Sequence, residues 1–206
     1  MTLLLLIRHG ENDYVGKRLA GRLPGIHLNE RGRQQAERLA ETLKDAPIRA
    51  IYSSPLERAT DTAAPLAARL HLPIQIHAGL LEIDYGGLAG KTGKQLQRLK
   101  QWKQVQEQPS TYTFPNGESF ITARERVTAA LQEIAANHED HDLVACFSHH
   151  DSLTLAISAL LDMPLDSYHK LSLGTASISL AMIGKDHTRL VRMNWSQGFE
   201  WPKPPK

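Results

Sequence analysis

The segment Leu3-Leu4-Leu5-Leu6-Ile7 runs directly into Arg8-His9-Gly10-Glu11 in a chain of 206 residues. Five consecutive apolar residues are short for a helix and suit a strand buried on both faces, as in a parallel sheet. Similar short runs stand at residues 50–53, 74–77, 143–148 and 178–183, with a further candidate at 189–193. Between them lie helical patterns. Residues 30–43 carry Ala36, Leu39, Ala40 and Leu43 on one face, and Phe120, Arg124, Val127, Leu131 and Ile134 follow steps of four and three. The alternation predicts an α/β layered domain whose sheet is mostly parallel.

The length suffices for one sizeable core and is too short to expect two. With 41% hydrophobic and 22% charged residues the composition is that of an ordinary globular protein. Lys+Arg number 24 against 22 Asp+Glu, with no basic run that could follow a nucleic-acid backbone, so nucleic acid is not expected as a partner. The one cysteine, Cys146, cannot form an intramolecular disulfide, and its apolar neighbours predict a buried structural thiol. The first apolar run is shorter than the ~7–15 residues of a signal-peptide core and ends on Arg8. No run approaches a membrane span. These features predict a cytoplasmic protein with a single domain over residues 1–200. Residues 95–113, dense in Gln and Lys and followed by Pro115-Asn116-Gly117, predict an exposed helix and loop, a lid or specificity region over about 95–117. Residues 201–206, Trp-Pro-Lys-Pro-Pro-Lys, predict a solvated, polyproline-like tail.

In open parallel sheets ligands bind beyond the carboxyl ends of the strands. The first run delivers Arg8, His9, Gly10 and Glu11; the second Ser53, Ser54 and, soon after, Arg58; the run at 143–147 delivers Ser148, His149, His150 and Asp151. After Ile76 come Glu82, Asp84 and Tyr85. Ser54 as N-cap, Pro55 at the first position and Glu57 closing a capping box would put Arg58 in the first turn of a helix. A cation beside the positive end of the helix dipole is unfavourable until an anion joins it, and Arg8 as a companion makes a phosphate clamp. His9 read alone is a core histidine bonded to a backbone carbonyl, but Gly10 beside it predicts close approach of a ligand to the backbone. His149, His150 and Asp151 have the wrong spacing for a metal, because consecutive strand residues face opposite ways.

Arg8-His9-Gly10-Glu11, Ser53-Ser54-Pro55-Leu56-Glu57-Arg58-Ala59 with Thr62, Leu80-Leu81-Glu82-Ile83-Asp84-Tyr85-Gly86, Gly117-Glu118-Ser119 and Phe147-Ser148-His149 together resemble the histidine phosphatase superfamily, also called phosphoglycerate mutase-like. The likeness spans nearly the whole chain. It implies a three-layer α/β/α sandwich and phosphoryl transfer through a covalent phosphohistidine, with no metal or organic cofactor. His9 would be the nucleophile, Arg8, Arg58 and His149 would hold the phosphoryl oxygens, and Glu82 would protonate the leaving oxygen. Substrate contacts are expected from Gly10, Asn12, Arg18, Gly21, Arg22, Tyr85, Ser148 and His150.

The chain departs from the family pattern in three places. Val15 stands where many relatives have Asn, with Asn12 and Asp13 earlier. The spacing from Arg18-Leu19-Ala20-Gly21-Arg22 to Leu28 is one residue longer than the common pattern, and His150 stands where a small residue often follows the second histidine. The expected function is hydrolysis of a small phosphomonoester. A mutase returning the phosphoryl group to a sugar acid and a non-catalytic module holding a phosphorylated ligand are the alternatives. The modest stretch between Glu82 and His149 favours water as acceptor, and a pure binder needs neither a nucleophile nor an acid. The sequence names neither the substrate nor the oligomeric state.

Overall fold

The computed structural model describes residues 1–185 and 187–196. Every apolar run becomes a strand: β1 (Thr2–Arg8), β2 (Ile48–Ser53), β3 (Ile74–Ile76), β4 (Leu143–Ser148), β5 (Ile178–Ile183) and β6 (Thr188–Trp195). They form one sheet in the order β3-β2-β4-β1-β5-β6. The β3-β2, β2-β4 and β4-β1 pairs are parallel, while β5 runs antiparallel to β1 and β6 returns antiparallel to β5. The sheet is therefore mostly parallel, in an α/β fold.

The longer helices are α1 (Glu30–Leu43), α2 (Glu57–Leu70), α5 (Phe120–Ala136) and α6 (His150–Leu160), with the short α3 (Gly93–Gln97) and α4 (Trp102–Glu107) between α2 and α5. Side chains alternate across β1. Leu4 and Leu6 enter one core with α5 and α6, and Leu5 and Ile7 enter a second core with α1 and α2. In β4, Val144 and Cys146 face the first core, and Ala145 and Phe147 the second. Covering both faces is what an unbroken apolar run requires, and it makes the central strands the rigid base of the molecule. The Cys146 thiol is buried, and burial pushes its pKa up, in keeping with a structural role. Among the described residues no helix is long and apolar enough to cross a membrane.

Two sequence expectations change here. Residues 95–113 are not a free helix and loop: α3, α4 and a 3-10 turn at Pro109–Thr111 are fastened to the core by buried Leu96, Val105 and Tyr112. Those apolar positions are sparse in a polar stretch, so the anchoring was masked by composition. Helix α2 begins at Glu57, with Leu56 as an N-cap that offers no side-chain bond, so the capping box around Ser54 and Pro55 does not form. Arg58 nonetheless lies in the first turn. Residues 201–206 lie outside the described residues.

Candidate active site

Register decides which side chains meet. Arg8 pairs with Ser148 at the ends of β1 and β4, and Ser53 pairs with Phe147 at the end of β2. His9, Ser54 and His149 therefore leave three neighbouring strand ends together, and the His9 and His149 rings come within 5.3 Å, centroid to centroid. The His9 amide donates to Ser148 O and the Ser54 amide to Phe147 O, so the backbone itself fixes the cluster.

His9 Nδ1 lies 2.7 Å from Gly10 O. A carbonyl only accepts, so Nδ1 carries the proton and Nε2 keeps its lone pair. Burial, with Arg58 and Arg8 adding to it, holds the His9 pKa well below its ordinary value, which favours the neutral ring. His149 is depressed well below the ordinary value for the same reasons, burial first and then Arg58. Its Nε2 lies 2.7 Å from Ser54 Oγ, which already accepts the Leu56 amide at 3.4 Å. His149 Nδ1, the other ring nitrogen, is buried without a partner among the described residues.

Arg58 is almost fully buried, and only its Nη2 is paired, donating to Gly21 O at 2.7 Å. Gly21 has φ +53, and a Cβ there would stand 2.9 Å from the Tyr85 ring, so glycine is needed for this carbonyl to face Arg58. Arg8 donates through Nη1 to Leu173 O at 2.6 Å. Burial lowers both guanidinium pKa values and Glu82 opposes that shift, which places Glu82 in their field. Both arginines stay protonated at neutral pH.

Among the described residues, five buried nitrogens of this region have no partner: Arg8 Nε, Arg58 Nε and Nη1, His149 Nδ1 and Asn12 Nδ2. Buried polar atoms are nearly always paired, so a convergence of unpaired nitrogens calls for an acceptor-rich, anionic ligand and repels a cation.

Glu82 is buried beside them. Its Oε1 accepts from the Ile83 and Ser152 amides and from Ser152 Oγ, each at 3.0 Å, whereas Oε2 has only a long contact, 3.4 Å, from the Asp151 amide. Burial and then the Asp151 charge raise the Glu82 pKa above its usual range. Oε2 is the less engaged of the two carboxyl oxygens. Asp151 in turn accepts a short hydrogen bond from Tyr85 OH, and its Oδ1 lies 3.3 Å from His150 Nδ1.

The remaining expected contacts divide. Asn12 is buried, with Oδ1 accepting from the Tyr14 amide and Nδ2 unpaired. His150 is partly exposed at the first residue of α6 and lies in the field of both His9 and Glu82, which puts it at the rim of the site. Tyr85 forms a wall, its ring edge-on to Phe114 and its hydroxyl committed to Asp151. Gly10 is a glycine for another reason than ligand approach: a Cβ there would meet Gly32 O at 2.8 Å, where the loop presses on α1. Ser148 is buried with its hydroxyl donating to Leu80 O at 2.7 Å, so it braces the segment leading to Glu82. Arg18 is exposed and bonded to Gly90 O. Arg22 faces Glu118 at 2.9 Å and Glu82 O at 2.8 Å, making it part of the frame behind Glu82. Three roles have no counterpart in the sequence expectations: Ser54 as a partner of His149, Glu118 as an acceptor, and Arg126, which binds Glu118. Glu118 stood in a quoted motif without a function, and Arg126 carried no signal.

The family model of the histidine phosphatase superfamily (branch 1) matches residues 4–196. The chain belongs to this superfamily. Among its relatives, this histidine phosphatase is 28% identical to phosphoserine phosphatase 1 of Hydrogenobacter thermophilus, over 94% of this chain and 92% of the relative. It is 32% identical to glucosyl-3-phosphoglycerate phosphatase of Mycobacterium tuberculosis, over 84% and 82%. A crystal structure of phosphoserine phosphatase from Entamoeba histolytica in complex with 3-phosphoglyceric acid superposes with a TM-score of 0.86 at 30% identity, covering 96% of this chain and 98% of that one.

Proposed function

We propose that this histidine phosphatase hydrolyses small phosphomonoesters through a phosphohistidine on His9. The observation that carries the reading is the set of unpaired buried nitrogens around a neutral histidine whose Nε2 is free. His9 Nε2 attacks phosphorus, the ester P–O bond breaks, and the proton on Glu82 passes to the departing oxygen. Arg8, Arg58 and His149 hold the three equatorial oxygens as their charge shifts, which is most of what a protein contributes to phosphoryl transfer. In the second step water attacks phosphorus, Glu82 takes its proton, the P–N bond breaks and the electron pair returns to His9. The Nδ1–H bond to Gly10 O persists through both steps and keeps the ring aligned.

All of this chemistry is supplied by side chains, so the reaction runs without a metal or organic cofactor. Phosphorylated three-carbon acids are the first substrates to try, because similar proteins are named for phosphoserine and glucosyl-3-phosphoglycerate, and one is bound to 3-phosphoglyceric acid. The single buried, unpaired Cys146 suits the reducing cytoplasm, where we place the protein. A panel of phosphomonoesters assayed with and without EDTA tests the reading. Turnover unchanged by the chelator is expected, and activity that disappears with chelation would overturn the metal-free mechanism.

A further inference from the structure

Behind Glu82 lies a charged frame whose side chains make no hydrogen bond to those of Arg8, Arg58, His9 or His149. Glu118 precedes α5, and its carboxylate is largely shielded from solvent. Oε1 accepts from Arg22 Nη2 at 2.9 Å, Arg126 Nη2 at 2.7 Å and the Asp84 amide at 2.9 Å; Oε2 accepts from Arg126 Nε at 3.2 Å. The two arginines continue onto the chain that carries Glu82. Arg22 Nε donates to Glu82 O at 2.8 Å, and Arg126 Nη1 donates to Gly79 O at 2.8 Å and Leu81 O at 2.9 Å. Backbone groups of Gly79, Leu81, Glu82 and Asp84 are thereby held by one ion cluster built from three separate parts of the chain. A segment with this many carbonyls turned to one side has no strand or helix to fix it, and residues 81–85 form neither.

We propose that Glu118, through Arg22 and Arg126, is a positioning residue that sets where the Glu82 carboxyl stands relative to the leaving oxygen. This rests on the reading of Glu82 as the proton donor. The side chain of Glu82 is tied from the other side by Ser152 of α6, so its carboxyl spans two supports, one on the backbone and one on the oxygens. Two arginines alone would repel each other across the segment; the shared carboxylate makes them a single clamp. Removing it shifts the acid while leaving Arg8, His9 and His149 at their strand ends and Arg58 in the first turn of α2, since none of these side chains bonds to Glu118, Arg22 or Arg126. Misplacement of a catalytic group by about 1 Å can cost roughly 10²-fold in rate.

The test compares histidine phosphorylation rates in single turnovers for two esters. One is the alkyl phosphomonoester that the wild-type protein turns over fastest among phosphoserine, 3-phosphoglycerate and glycerol phosphate; the other is p-nitrophenyl phosphate, whose phenolate departs without a proton. Glu118→Gln is expected to slow phosphorylation by the alkyl ester about 10–100-fold and the p-nitrophenyl burst by less than about 3-fold, with vanadate inhibition unchanged. In a Glu82→Gln background, adding Glu118→Gln is expected to produce no further loss, because both changes remove one function. Equal losses for the two esters, additive losses in the double variant, or weakened vanadate inhibition would overturn the proposal. Should Glu118→Gln fail to fold, Arg22→Ala, whose side chain is partly exposed, must show the same split between esters, and its absence overturns the proposal equally. A wild-type protein that forms no phosphoenzyme with either ester removes the reading of the site itself, a result distinct from a phosphoenzyme that forms normally in both proteins.

Discussion

Replacing Arg58 by methionine is expected to raise thermal stability and lower activity, two changes of opposite sign from one side chain. Arg58 is 1% exposed and makes one hydrogen bond, to Gly21 O, while Nε and Nη1 have no partner. An effective penalty of several kcal/mol attends each buried ion, and replacing a buried ion pair or triad by a similar apolar volume stabilises by about 1–4 kcal/mol, a range we extend to Arg58 because its one hydrogen-bond partner is a neutral carbonyl. Losing the Gly21 bond offsets roughly 1 kcal/mol of that, more if the carbonyl stays dry. The net expectation is about 0–3 kcal/mol, or up to roughly 12 °C in Tm for a chain of this size. In catalysis the sign reverses. Two charge-assisted contacts to the phosphoryl group at about 1.5–3 kcal/mol each total about 3–6 kcal/mol, which is roughly 10²–10⁴ in kcat/KM. Differential scanning calorimetry with and without vanadate, beside steady-state kinetics, reads both. Vanadate should raise the wild-type Tm, by about 2.7 kcal/mol of stabilisation at a hundred times its Kd, and barely move the variant. A variant that melts lower than wild type yet keeps kcat/KM within a few-fold would refute the reasoning and return Arg58 to a structural role.

Gly32→Ala should destabilise the protein and depress activity together, because its Cβ would stand 2.0 Å from Glu11 O and force the loop carrying His9 off α1; urea denaturation should show a loss of about 1–3 kcal/mol or more. Stability should also fall with acid. His9 and His149 are held neutral in the fold with pKa values well below 6.5, so their contribution is present above the unfolded value of about 6.5 and is lost as pH drops through it, by up to about 1.4 kcal/mol per pH unit for each ring. Glu82 acts with the opposite sign, its raised pKa favouring the fold at low pH and losing that contribution as pH rises through the folded value. Urea titrations at pH 7.5 and 5.5 should therefore show a steeper pH dependence in wild type than in His9→Gln, and equal slopes would contradict the neutral state of His9.

Much of the layered fold was legible because its central strands are buried on both faces, which leaves an unbroken signature such as residues 3–7 in the chain itself. The convergence of Arg8, His9, Arg58 and His149 is legible for a related reason: each stands at or closely follows a strand end, and parallel strand ends converge. Arg58 was placed correctly in the first turn of α2 by a capping argument that does not hold, since Ser54 turns away to His149. That pairing joins residues far apart in sequence and depends on the β2-β4 register, which no local pattern encodes. Gly10 and Ser148 are expected as ligand contacts from their position, and the structure adds a second reason for each residue, packing against Gly32 and a bond to Leu80. Arg22, Glu118 and Arg126 meet only because the Glu82 segment, α5 and the loop after β1 fold together, so charge at isolated positions carried no sign of the cluster.

The central claim is a covalent phosphoryl group on His9 Nε2. Rapid mixing with an alkyl phosphomonoester, an acid-free quench and intact-mass measurement followed by peptide mapping test it most directly. The mechanism predicts one phosphoryl adduct in the wild-type protein, located on His9, absent from a folded His9→Ala variant that no longer turns over substrate. An adduct on any other residue, or near wild-type turnover by His9→Ala, would contradict it.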